Sequence, residues 1–201
     1  MRVPFRRLAV LAVLLVGGCG LSPNDDPQAI PAENLPPGLL DPNPSSSTTL
    51  PESGATTTIT VFFLTRDGDV TRLAPAEREV KTSEAFMPGA RLAALFAQPT
   101  SEEQDAGLTT SIPADTVLLR APPPGEDEDV LVIDVSSEMF AVQGQELANA
   151  FAQIVWTVSE IEGVRDVRFM RDGVEISALD GEGAEKEGVV TKNDYRSLAP
   201  E

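Results

Sequence analysis

Alternation of apolar and polar positions begins at residue 56, and the elements follow from its period. Thr58-Ile-Thr-Val-Phe-Phe-Leu64 alternates with Ile59, Val61 and Phe63 on one face, and its β-branched and aromatic content predicts a strand. Asp67-Gly68 predicts a tight turn into a second strand, Val70-Thr-Arg-Leu73. Ala90 to Ala97, preceded by Pro88-Gly89 and ended by Pro99, predicts a short helix with Leu92, Leu95 and Phe96 on one side. Thr116 to Arg120 and Val130 to Val135 read as two further strands, joined by a polar loop from Ala121 to Asp129. Between Gly144 and Ile161, Leu147, Phe151, Ile154, Val158 and Ile161 recur at spacings of 4, 3, 4 and 3, which gathers them on one helical stripe for burial. Val164 to Met170, the turn Asp172-Gly173 and Val174 to Ile176 predict a second hairpin. The order ββαββαββ predicts an α+β domain with two helices packed on one mixed sheet. Val189 to Leu198 is expected to return to that domain through Tyr195 and Leu198.

The residues before this pattern have a different character. Arg2, Arg6 and Arg7 open the chain, an apolar run follows from Leu8 to Val16, and Gly17-Gly18 precede Cys19, the only cysteine. Residues 1–18 therefore read as a secretory signal peptide, its apolar run too short for the roughly 20 residues that span a bilayer. Val16-Gly17-Gly18-Cys19 resembles the bacterial lipobox, which makes Cys19 the expected lipidation site. A diacylglyceryl group with palmitate-type chains there gives two acyl chains, enough for stable anchoring. The lone cysteine agrees, since a free thiol in an exported protein is an oxidation liability that a thioether removes. Residues 19–55 hold eight of the 17 prolines, a Ser/Thr tract and no Lys or Arg, a composition that predicts a disordered tether. The domain is then expected over 56–199, held at the extracytoplasmic face of the cell membrane by lipid on Cys19.

Composition narrows the chemistry. The formal charge is −17, with 32 acidic and 15 basic residues, and the three arginines before Cys19 leave the remainder more acidic still. Such a chain repels phosphate, so no nucleic-acid partner is expected. There is no histidine, which removes Ser-His and Cys-His nucleophile pairs and imidazole metal ligands. No metal site, cofactor or enzymatic activity is expected. Asp134, beside Ser136, Ser137 and Glu138, could join a two-carboxylate glycosidase site, but Asp-x-Ser at a strand end is ordinary turn and N-cap chemistry. Glu126-Asp-Glu-Asp129 lacks the glycine and ligand spacing of a calcium loop and reads as a solvated run. Trp156 is the candidate partner-binding residue. At 100° per residue it lies about 180° from Leu147, on the face of Asn149, Ala152 and Glu160. An indole there needs a cover, either the C-terminal return around Tyr195 and Leu198 or a partner, since Trp is enriched in interface hot spots.

Several of these segments, taken in order, resemble the GerMN domain of germination and sporulation proteins and of LpqB-like bacterial lipoproteins. They are Ile59-Thr-Val-Phe-Phe-Leu64, Ala90-Arg-Leu-Ala-Ala-Leu-Phe-Ala-Gln-Pro99, Gly107-Leu108 with Ile112-Pro113, and Val132-Ile-Asp-Val-Ser136. Gln153-Ile-Val-Trp-Thr157 and Val164 through Asp172-Gly173 complete the series, and Tyr195 is similar to the tail motif. Gln98 departs from the pattern, standing where a glycine usually precedes the proline. One copy of the domain is expected, without the propeller of LpqB-type members. The resemblance implies a non-catalytic binding or scaffold module, sporulation- or envelope-related, whose partner is an envelope protein or cell-wall component. A lipid or carbohydrate carrier of the envelope is the alternative.

Overall fold

In the computed structural model, which describes residues 54–123 and 130–201, the chain opens on a long hairpin of two twelve-residue strands, β1 (Thr56–Asp67) and β2 (Val70–Lys81). Cys19, the tether and Glu126–Asp129 lie outside the described residues. The turn falls one residue later than Asp67-Gly68 implies: Asp67 pairs with Val70, and the loop is Gly68-Asp69. Gly68 takes φ 60° while Asp69 stays at negative φ, the pattern of a type II′ turn. The second strand also runs well past Leu73. Pro75 does not stop it, because Pro75 lies opposite Phe62, whose backbone groups point away from β2 and bond a helix instead. At such a position the missing N–H of proline costs no ladder bond.

Helix α1 (Pro88–Phe96) starts with proline in its first turn, where an N–H has no intrahelical acceptor. A short α2 (Ser101–Asp105), unforeseen from periodicity, is held by a capping box in which Thr100 and Glu103 satisfy each other's backbone N–H groups. Then come β3 (Leu118–Arg120), β4 (Val130–Val135), a 3-10 turn over Ser137–Ala141, α3 (Gln145–Val158) and β5 (Asp166–Arg171). Strand β4 pairs with β5 in parallel, with α3 in the crossover between them. The hairpin from β5 into β6 (Val174–Glu175) turns on Asp172 and Gly173 at φ 49° and 82°, a type I′ turn. Short strands β7 (Ala178–Leu179), β8 (Glu185–Lys186) and β9 (Val189–Val190) and a 3-10 segment over Lys192–Leu198 follow.

The fold is a mixed α+β arrangement, but the strands do not form the single sheet expected. Strands β3-β4-β5-β6 with β9, which also pairs β5, make one sheet; β1-β2 and β7-β8 are separate two-stranded sheets. Helix α3 lies between the long hairpin and the larger sheet. Phe151 meets Phe169 of β5 at 4.6 Å between ring centroids, and Trp156 meets Phe62 of β1 edge-on at 5.6 Å. The helix is therefore not one-sided: Ala148, Ala152 and Val155, off the predicted stripe, are as fully buried as Phe151 and Ile154, whereas Leu147 is only partly buried. A helix apolar nearly all round is buried all round. Likewise β1 buries both faces, with Phe62 and Leu64 opposite Ile59, Val61 and Phe63.

Candidate functional site

The outer edge of β1 is closed by one isolated backbone bridge and by side chains, with no third strand among the described residues. Leu64 exchanges both backbone bonds with Thr109, at 2.8 Å each. The Phe62 N–H donates to Thr157 Oγ1 at 3.0 Å, and its carbonyl accepts from Gln153 Nε2 at 3.2 Å. Gln153 Oε1 in turn accepts from Ser111 N (2.9 Å) and Thr110 Oγ1 (3.2 Å), so this amide, wholly buried, joins α3, the hairpin and the loop before β3. One step along the edge, Arg91 of α1 donates to the Thr60 and Ala85 carbonyls. Burial of Arg91 lowers its pKa, with Glu160 opposing the shift. Neither Gln153 nor Arg91 stands out from periodicity, because each answers to a strand edge distant in sequence.

These anchors fix the last turns of α3. Trp156, adjacent to Thr157, is half-buried. Phe62 lies against it, and Lys192 Nζ sits 4.8 Å from its ring centroid. Lys192 also pairs with Glu160 at 2.6 Å, and Glu160 lies in the turn that follows the end of α3. The C-terminal return thus reaches the indole through Lys192. Trp156 Nε1 has no hydrogen-bond partner.

The return itself is anchored by β9 on β5 and by a capping box between Thr191 and Asp194, with Lys186 paired to Asp194. Burial alone would raise the Asp194 carboxyl, but bonds from Lys186 and Thr191 outweigh it and hold its pKa low. Tyr195 is fully buried, and that burial, with Asp194 and Asp180 nearby, pushes its phenol far above the ordinary range.

The other nominated groups are occupied in holding backbone. Asp134 Oδ1 accepts the Gly173 N–H at 3.1 Å and so pins the type I′ turn. Ser136 does precede a 3-10 turn, but its hydroxyl caps nothing there: it accepts from Val117 N at 3.0 Å, across to the segment entering β3. The expected local cap is replaced by a cross-strand bond because β3 runs antiparallel beside β4 and brings that N–H within reach. Among the described residues no group of three or more His, Cys, Asp or Glu is placed to hold a metal ion, and no helix is long and apolar enough to cross a membrane. A cleft of about 380 Å³ opens at the turn end of the long hairpin, with Thr65, Asp67, Arg72, Leu73, Pro75 and Pro200 on its walls.

A family model described as Germane, sporulation and spore germination, matches residues 60–177, more than half of the chain. Among solved structures, the tandem GerMN domains of the sporulation protein GerM from Bacillus subtilis are 20% identical at a TM-score of 0.54, covering 74% of this chain and 49% of that one. This chain therefore spans about half the length of the tandem pair. The first GerMN domain of the same protein is 16% identical at a TM-score of 0.50, covering 68% of this chain and 98% of that one. A putative lipoprotein from Clostridium perfringens is 20% identical at a TM-score of 0.46, covering 72% and 93%. At these identities the likeness to the GerM domains establishes a GerMN-type fold and nothing more. No curated protein matches the sequence.

Proposed function

Since the chain belongs to the Germane family of sporulation and spore-germination proteins, we propose that it is a lipid-anchored, extracytoplasmic binding or scaffold module of the cell envelope that does no catalysis of its own. Lipid on Cys19 holds it at the membrane, residues 19–55 space it from the bilayer, and the GerMN-type domain engages an envelope protein or cell-wall component. The observation that carries this reading is the employment of four buried polar side chains in holding backbone. Asp134, Ser136, Gln153 and Thr157 each bond a backbone group, so chemistry is left to the surface. Trp156 is the surface residue this reading favours as the partner contact: it is large, aromatic and partly exposed.

The test separates the anchor from the domain. Cys19→Ala is expected to shift the protein from the membrane pellet to the soluble or unprocessed fraction, with mass spectrometry of the native protein finding lipid on an N-terminal Cys19. A mature chain that begins beyond Cys19 and carries no lipid refutes the anchor. Crosslinking in intact cells then identifies the captured partner. The carrier reading has one observation in its favour, the cleft beside β2. Retention of lipid or glycan by the purified protein, lost on filling the cleft with Ala74→Trp, would establish it instead.

A further inference from the structure

We propose that Trp156 and Glu160 form a cradle for a cationic side chain, in which Lys192 is the resident and a lysine or arginine of a basic partner protein exchanges with it. The inference rests on the reading of Trp156 as the partner contact and names the chemistry that contact selects. An ammonium held between an aromatic face and a carboxylate is a recurrent means of cation recognition. Here the face is the indole, 4.8 Å from Lys192 Nζ, and the carboxylate is Glu160, at 2.6 Å. Trp156 stands in the last turn of α3, which Thr157 and Gln153 fix to β1, and Glu160 lies in the turn just beyond the helix, while the resident comes from the C-terminal return.

Two features point to exchange rather than a fixed structural tie. The side chains of Lys192 and Glu160 are 34% and 37% exposed, so a guest replaces the resident without opening the core, and ion pairs this exposed are weak. The chain carries a net charge of −17, which draws basic partners and steers them toward the surface. Arg91 nearby is turned inward to the Thr60 and Ala85 carbonyls and does not compete for the carboxylate at hydrogen-bond distance.

Trp156 is the only tryptophan, so its emission reports on the cradle alone. Full-length protein is titrated with a synthetic oligolysine peptide at physiological ionic strength, by fluorescence and calorimetry, with oligoglutamate as control. Removing the resident by Lys192→Ser is expected to tighten oligolysine binding about fivefold and alter the indole emission on binding. Adding Glu160→Gln to that variant should reverse the gain, while thermal melts confirm that each variant is folded. Affinity unchanged by Lys192→Ser, or a gain that survives Glu160→Gln, overturns the cradle and assigns binding to the general acidic field. Loss of the crosslinked partner on Trp156→Ala with oligolysine affinity unchanged overturns the cradle but leaves the contact surface standing.

Discussion

Replacing Gln153 with methionine keeps nearly the same volume and unbranched shape while deleting three hydrogen bonds. The Phe62 carbonyl loses its donor, and Ser111 N and the Thr110 hydroxyl lose their acceptor. Phe62 is only 6% exposed, so water does not replace the lost donor, and an unsatisfied buried acceptor costs about 1–3 kcal/mol. Ser111 is half-buried and recovers part of its bond from solvent, which adds about 1 kcal/mol, and the Thr110 hydroxyl can rotate toward water. The thioether is better suited than an amide to an apolar interior and returns about 1 kcal/mol. The expected net loss is about 1–3 kcal/mol, or roughly 3–9 °C in melting temperature for a domain of this size. Urea unfolding followed through Trp156, whose helix carries Gln153, measures it directly. Thr157→Val strips the neighbouring bond to the Phe62 N–H, and because the two side chains serve one residue of one edge, the double variant should depart from additivity. A loss below about 1 kcal/mol for Gln153→Met, with an unchanged m-value, would refute the idea that this amide closes the edge of β1.

Gln98 occupies the left-handed position just after α1, at φ 67°, and its side chain bonds weakly to the Phe96 and Ile112 carbonyls at 3.4 and 3.3 Å. Gln98→Gly and Gln98→Ala both lose those bonds, but only alanine keeps the strained Cβ, so the glycine variant should melt as the more stable by about 1 kcal/mol. Glu103, held by Arg78 and the Thr100 backbone, has its pKa pulled down to about 2 from 4.5. Its folded value lies below its unfolded one, so its stabilisation is complete above the ordinary carboxylate range and disappears as pH falls through about 2. The gap in unfolding free energy between the native protein and Glu103→Gln should therefore be constant near neutrality and close progressively on acidification. A gap that persists unchanged at pH 2 would mean that the carboxylate charge is not what Arg78 stabilises.

Local chemistry was legible along the chain where it acts locally. The glycines of both hairpin turns, Pro88 at the start of α1, the stripe of Phe151, Ile154 and Val158, and the return through Tyr195 all declare themselves within a few residues. The errors share one cause, which is that a partner far along the chain changes what a residue is for. Pro75 lies beyond the predicted end of the second strand, and Phe62, which makes its position harmless, pairs with it only in the hairpin. Ala148 and Ala152 fall off the predicted apolar stripe, yet both are fully buried, because α3 is packed by the long hairpin as well as by the larger sheet. Ser136 looked like a local cap until β3 offered it a nearer N–H. For Trp156, the i, i+4 relation to Glu160 was visible in the sequence, but Lys192, the group that joins them, belongs to a segment whose path depends on β9. The strands β7, β8 and β9, two residues each, are too short to have a period at all.

The closure of β1 by α3 also sets the order in which the domain can become safe. Phe62 is separated from Gln153 by 91 residues and from Thr157 by 95. A chain emerging from its N-terminus therefore completes the long hairpin well before the residues that seal it exist outside. During that interval an apolar strand with unpaired backbone groups is open to any neighbouring strand, the condition under which chains pair with one another instead of with themselves. Such long-range closure also makes for slow folding. Truncation anywhere before Val158 leaves the hairpin permanently in that state. The demand on whatever protects the nascent chain is thus concentrated in a single window, between the appearance of Lys81 and the docking of α3.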